Sequence, residues 1–144
     1  MHTYISLLLS PVSPHIVFYA LCGMRIGIGI LSIGHGFPKI VGGPAQWREL
    51  GQAITVFGIH FLPVFWGFLA ACAEFFGGIA LTVGFGTRIA SISLIGTMIV
   101  ACAWHLQRGD PYSAYSFSLS LLVVFFTLFI VGSGPLSVDQ YLTR

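Results

Sequence analysis

Glu74 and Arg25 are the residues of this chain best placed to do chemistry, because each stands inside a long apolar run, Glu74 within 62–84 and Arg25 within 16–37. If such runs cross a bilayer, an ionisable group at that depth is expensive unless it is paired, neutralised or hydrated, and it marks a functional site by default. Counted at helical rise, the two lie roughly 14 and 15 Å from the same membrane face, which predicts that they pair. The faces agree: Cys22, Arg25, Gly29, Ser32 and Gly36 make one small or polar seam, and Gly67, Ala70, Glu74 and Gly78 make another. Small residues on facing seams let membrane helices approach closely. A carboxylate so placed can take up and release a proton, its proton affinity raised by desolvation and lowered by the guanidinium. The plainer alternative is a buried ion pair that fixes helix register, a weak stabiliser that is costly to break.

A second set of groups collects on the face away from the termini. His35 ends the first apolar run, His60 precedes the second and His105 closes the third, so three imidazoles are expected at one level. Neutral imidazoles at such a mouth bind a metal or donate to a quinone carbonyl, although none has the i, i+4 partner of a strong metal motif. Interfacial histidines bonded to water are the bland reading. Trp47, Trp66, Trp104, Tyr112 and Tyr115 read as an interfacial belt, and Ser113, Ser116, Ser118 and Ser120 make the entry of the last span polar. Cys22, Cys72 and Cys102 fall in different spans at different depths and read as small core residues.

These groups need elements to hold them. The 144 residues are 56% hydrophobic and 7% charged, with a mean hydropathy of +0.94, and a surface so poor in charge does not suit water. Four spans of sufficient length can be drawn, near 16–37, 62–84, 88–106 and 112–131. The short connections 84–87 and 107–111 make successive spans antiparallel. The fold class expected is therefore an all-α membrane protein, four transmembrane helices in an up-and-down bundle, forming one domain over 1–144. The first connection, 38–61, carries Trp47, Leu50, Ile54 and Phe57 at helical spacing after Pro44, which predicts an interfacial amphipathic helix. The amino-terminal stretch through Val17 reads as a surface pre-helix interrupted by Pro11 and Pro14, not a secretory signal. In the tail, Gly132 and Gly134 permit a turn, and Ser137 with Gln140 has capping-box spacing, so 138–144 is expected as a short helix with Asp139 in its first turn. Positive charges divide almost evenly, Arg88 and Arg144 on the terminal side against Lys39, Arg48 and Arg108, and termini inside is the orientation adopted. The net charge of +2 without a basic run gives no basis for binding nucleic acid.

Gly36-Phe-Pro-Lys39, Ala73-Glu74-Phe-Phe-Gly77-Gly78, Gly84-Phe-Gly-Thr-Arg88 and Gly132-Ser-Gly-Pro-Leu-Ser-Val-Asp139, in that order, resemble the DoxX family of small bacterial membrane proteins. The likeness runs over nearly all of 20–142. It implies a four-helix, multi-pass protein of the bacterial inner membrane, of a kind described as oxidoreductase or quinone-linked subunits, and it directs attention to Arg25, Lys39, Glu74, Arg88 and Asp139 without assigning catalysis to any of them. Two functions are therefore expected. The first is a redox-associated membrane subunit that binds a quinone-like lipophile in the bundle, an oxidoreductase component that draws electrons from a partner because the chain carries no haem, flavin or iron–sulfur motif. The second is a non-enzymatic scaffold or assembly partner in the lipid bilayer, as a homo-oligomer through the glycine seams or within a protein complex. A metal-handling or small-molecule permease is a third option.

Overall fold

In hydrocarbon every backbone N–H and C=O must find its partner within its own segment, so long apolar runs become helices. The computed structural model, which describes residues 13–143, has four helices long and apolar enough to span a membrane. In chain order the elements are α1 (Pro14–Val41), α2 (Gly43–Gly51), a 3₁₀ segment (Gln52–Phe57), α3 (Pro63–Val83), α4 (Thr87–Gln107), α5 (Tyr112–Val131) and α6 (Val138–Leu142). The last three spans match the hydropathy reading to within a residue or so. Most of the expected amino-terminal surface segment, and Arg144, lie outside the described residues.

The first span differs from expectation at both ends. Pro14 opens α1 rather than interrupting a separate segment, since a proline at the first helical position sacrifices no bond. At the other end the helix passes through Pro38 and runs on to Val41, so Lys39, read as a loop residue, stands on the last turn. The connection is also shorter in α-helix than its periodicity suggested. It breaks into nine residues of α-helix and six of 3₁₀, and it packs on α3 so closely that Gly51 and Gly67 bring the two backbones together.

α1 packs chiefly on α3, α4 on α5, and α3 on α4. Leu81, Ala90, Leu94, Met98, Phe125 and Leu128 form the buried apolar core. Large side chains such as Ile89, Val123 and Ile130 are exposed, as expected where acyl chains are the solvent. α1 and α5 scarcely touch along their length, although the His35 and Phe117 rings meet across that seam at 5.4 Å. The bundle is therefore closed on three sides and thin on the fourth.

Candidate functional site

Glu74 lies on the buried face of α3, and α1 crosses it at Gly36. A Cβ at Gly36 would stand 2.5 Å from the Phe75 nitrogen, so the absence of a side chain there lets the helices meet at this level. One turn later Lys39 extends its ammonium back to Glu74 and touches both carboxylate oxygens at 2.5 Å. The Glu74 side chain is 9% exposed and that of Lys39 27%. The indole N–H of Trp47 donates to the Lys39 carbonyl at 2.8 Å, supplying one of the partners that a helix end lacks.

The Arg25–Glu74 ion pair expected from depth is therefore not formed. Both residues are buried, but side chains on a helix lean toward its amino terminus. α1 and α3 are antiparallel, so Arg25 leans toward the terminal face and Glu74 away from it, whereas Lys39 and Glu74 lean toward each other. Depth counting ignores this direction.

Arg25 instead ties three segments together at the terminal end. Its Nη1 donates to the carbonyls of Leu81 at 2.5 Å and Thr82 at 3.3 Å, and its Nη2 to the Leu136 carbonyl at 3.0 Å. Leu81 and Thr82 belong to the last turn of α3, where carbonyls lack intrahelical partners and a cation is favoured. That turn is about 11 Å along the helix from Glu74. Gly84, with φ of +72°, leaves room for this arrangement, because a Cβ there would fall 2.5 Å from both Arg25 Nη1 and Ser137 Cβ.

Asp139, placed by sequence in the first turn of α6, has a larger duty. Its carboxylate accepts from the backbone N–H groups of Gly86 at 2.6 Å and Thr87 at 3.0 Å, capping α4. Its own N–H donates to the Gly84 carbonyl at 2.9 Å. Burial pushes its carboxyl pKa up, the largest single effect, but the Thr87 and Gly86 N–H bonds together with the Arg25 charge outweigh it and hold the group below its usual value. The capping box is formed, with Gln140 N–H donating to Ser137 Oγ at 3.2 Å. Arg88 donates to the Ile130 carbonyl at 3.3 Å. An open groove of about 660 Å³ runs past Phe18, Arg88 and the 131–135 turn, but its charged side chains are committed to backbone groups.

Space beside a charge is found at the other centre. Lys39 and Glu74 line two cavities at once. One, of about 400 Å³, lies between the α2 and 3₁₀ region, α3 and α4, and it is largely apolar apart from this pair and the Ser93 and Thr97 hydroxyls. Trp66 also borders it, and its buried indole N–H has no acceptor. The other cavity, of about 170 Å³, lies among α1, α3, α4 and α5 and adds Ser32, His35 and Ser118.

The three histidines are not assembled into one mouth. His35 lines the smaller cavity, His60 is exposed in the turn before α3, and His105 Nδ1 lies 2.8 Å from Asp110, which Arg108 also approaches at 3.5 Å. Among the described residues no three His, Cys, Asp or Glu side chains gather as a metal would require. Cys22, Cys72 and Cys102 are free thiols.

Four spanning helices around a lysine–glutamate pair, its carboxylate buried and its ammonium half-buried, define an integral membrane protein with a polar centre inside its bundle. The chain belongs to the DoxX family, whose pattern it matches over residues 20–107. It is 33% identical over 125 residues to the inner membrane protein YqjF of Escherichia coli (strain K12), covering 83% of this chain and 89% of that protein. It is 27% identical over 121 residues to a Bacillus subtilis (strain 168) protein named "Putative oxidoreductase CatD", covering 84% and 85%. The chain is accordingly a multi-pass protein of the inner membrane.

Proposed function

We propose that this protein is the membrane subunit of a redox complex and binds a quinone-like lipophile in the larger cavity, against Lys39 and Glu74. The observation that carries this reading is the placement of a partly buried ion pair in the wall of a largely apolar space of about 400 Å³, within the range of small-molecule sites. An apolar ring system fits the aliphatic walls, and the ammonium of Lys39 donates to a carbonyl oxygen at the ring edge. The Ser93 and Thr97 hydroxyls donate to the Ala90 and Leu94 carbonyls and so offer acceptors to the hydroxyl groups of the reduced ring. When a partner subunit delivers two electrons, the reduced carbonyl oxygens take up two protons, and Glu74 is placed to pass them. The name of the Bacillus subtilis relative is compatible with such a role.

The test is binding of a short-chain ubiquinone to purified protein, read as quenching of tryptophan fluorescence, Trp66 lying at the cavity wall. Gly96 lines the same cavity and a Cβ there meets nothing within 4 Å, so Gly96→Leu fills the space with little strain. Saturable quenching in the parent, weakened at least tenfold in G96L at unchanged Tm, is expected. Equal quenching in both proteins sinks the proposal.

The scaffold reading is favoured by one feature, the commitment of Arg25 and Asp139 to backbone groups at the terminal face. It expects Glu74→Gln to lower abundance with no loss of quinone affinity per folded molecule.

A further inference from the structure

The two cavities that share the Lys39–Glu74 wall differ in size and in lining, and the difference assigns them different contents. The smaller has about 170 Å³ of room, below the range of organic-ligand sites. A water needs only about 10–15 Å³ of such space together with two to four polar partners. Ser32, His35, Lys39, Glu74 and Ser118 supply those partners. The Ser32 hydroxyl donates to the Ile28 carbonyl at 2.8 Å and so keeps its lone pairs for a further donor. Among the described residues, His35 and Lys39 of α1 are the only titratable side chains besides Glu74 that line this space; α4 and α5 contribute apolar groups and the Ser118 hydroxyl. Among the same residues the larger cavity adds no titratable group beyond the pair.

His35 stands at the outer edge of this compartment. It is exposed and rests on Phe117 across the thin seam between α1 and α5. An imidazole is the side chain whose ordinary pKa lets it both accept and release a proton near neutrality.

We propose that the smaller cavity is a water-filled proton compartment in which His35 exchanges protons with Glu74, while the lipophile occupies the opposite side of the pair. A proton accepted by His35 from outside the bundle passes through ordered waters to one Glu74 oxygen, which releases its bond to the Lys39 ammonium to take it; the ammonium keeps the other oxygen and turns to the compartment's water, and His35 returns to its neutral form. Its use rests on the lipophile reading, but the exchange itself requires no lipophile. His35 is thus a relay residue that supplies Glu74.

The experiment is infrared spectroscopy of the purified protein in lipid nanodiscs after a pH jump, without added quinone. The carboxyl band of Glu74 is identified by its loss in E74Q. His35→Gln and Ser118→Leu, the second filling the small cavity, are each expected to slow the appearance of that band at least tenfold at unchanged Tm. Gly96→Leu, which fills the other cavity, should leave the rate as it is. The proposal is overturned if His35→Gln and Ser118→Leu leave the rate unchanged, if Gly96→Leu slows it instead, or if no Glu74 carboxyl band forms at any pH where the protein is folded. Quinone quenching measured on the same variants separates the two proposals, because H35Q should bind quinone as the parent does. Loss of binding in G96L with unimpaired proton exchange in all variants would overturn the compartment and leave the lipophile site standing.

Discussion

The two inward-facing cations of α1, Arg25 buried and Lys39 half-buried, are used in opposite ways. Arg25 is 1% exposed and directs its terminal nitrogens at backbone carbonyls of α3 and the tail. Lys39, 14 residues further on, pairs with a single carboxylate and borders two open spaces. A charge satisfied by backbone fixes where segments end, because those carbonyls cannot move without unravelling a helix. A charge satisfied by another side chain can be shared with a ligand by side-chain rotation alone, with no helix unravelled. The terminal face is thus fixed by backbone, whereas the centre of the bundle leaves room beside its charges.

Removing the staple should cost most. Arg25→Leu removes the charged bonds to the carbonyls of Leu81, Thr82 and Leu136, of which Leu81 keeps the Gly84 N–H at 3.2 Å, and each bond to a charged group contributes about 1.5–3 kcal/mol. Leu136 also holds a positive φ of 59°, a conformation that persists only where its surroundings enforce it. R25L is expected to fail to accumulate in membranes. Normal abundance and Tm would remove the distinction between the two cations.

The ion pair ranks next, and it should behave differently in single and double variants. Lys39→Met leaves the buried Glu74 carboxylate unpaired, at about 3–5 kcal/mol, whereas Glu74→Met frees a lysine already 27% exposed and should cost less. The double variant, with both partners apolar, should recover most of that loss in thermal unfolding yet bind no quinone. Gly36→Ala acts on the same centre through the backbone. Its Cβ meets Phe75 at 2.5 Å, and overpacking of this kind costs about 1–3 kcal/mol. Quinone affinity in G36A should fall together with Tm, since α1 must move away from Glu74.

Part of this contrast is written in the sequence itself. Four spans were legible because bilayer thickness and backbone bonding demand only length and apolarity. That Glu74 and Arg25 face inward was legible too, from the small residues at i, i+3 and i+4 around them. Their partners were not. Pro38 suggested a helix end, which hid Lys39 in a loop, and a depth count carries no side-chain direction. Asp139 joins Gly86 and Thr87 from 52 or more positions away, a pairing that no local spacing encodes. Its only sequence trace was the joint presence of the Gly84–Arg88 and Gly132–Asp139 motifs.

Asp139→Asn should have a smaller effect with a definite pH dependence. The amide loses the charge that complements the start of α4, and a lost cap costs about 0.5–2 kcal/mol. The folded carboxyl pKa is held below the ordinary 3.8, so its stabilisation is complete above that pH and fades as pH falls through the folded value. The Tm gap between parent and D139N should therefore be open at pH 7 and narrow toward pH 3. A constant gap would mean that shape, not charge, makes the cap.

The smallest effect is expected at the α4–α5 turn. His105, Asp110 and Arg108 form an ion cluster with side chains 27–58% exposed, and pairs in such surroundings contribute about 0–1 kcal/mol. Neither cavity beside Lys39 and Glu74 is lined by any of the three. Asp110→Asn should thus change Tm by no more than a few degrees and leave both quinone quenching and the Glu74 proton rate at parent values. If D110N slowed proton arrival at Glu74, the entry would lie at the His105 turn, and the division between a proton side at His35 and a ligand side at Gly96 would have to be redrawn.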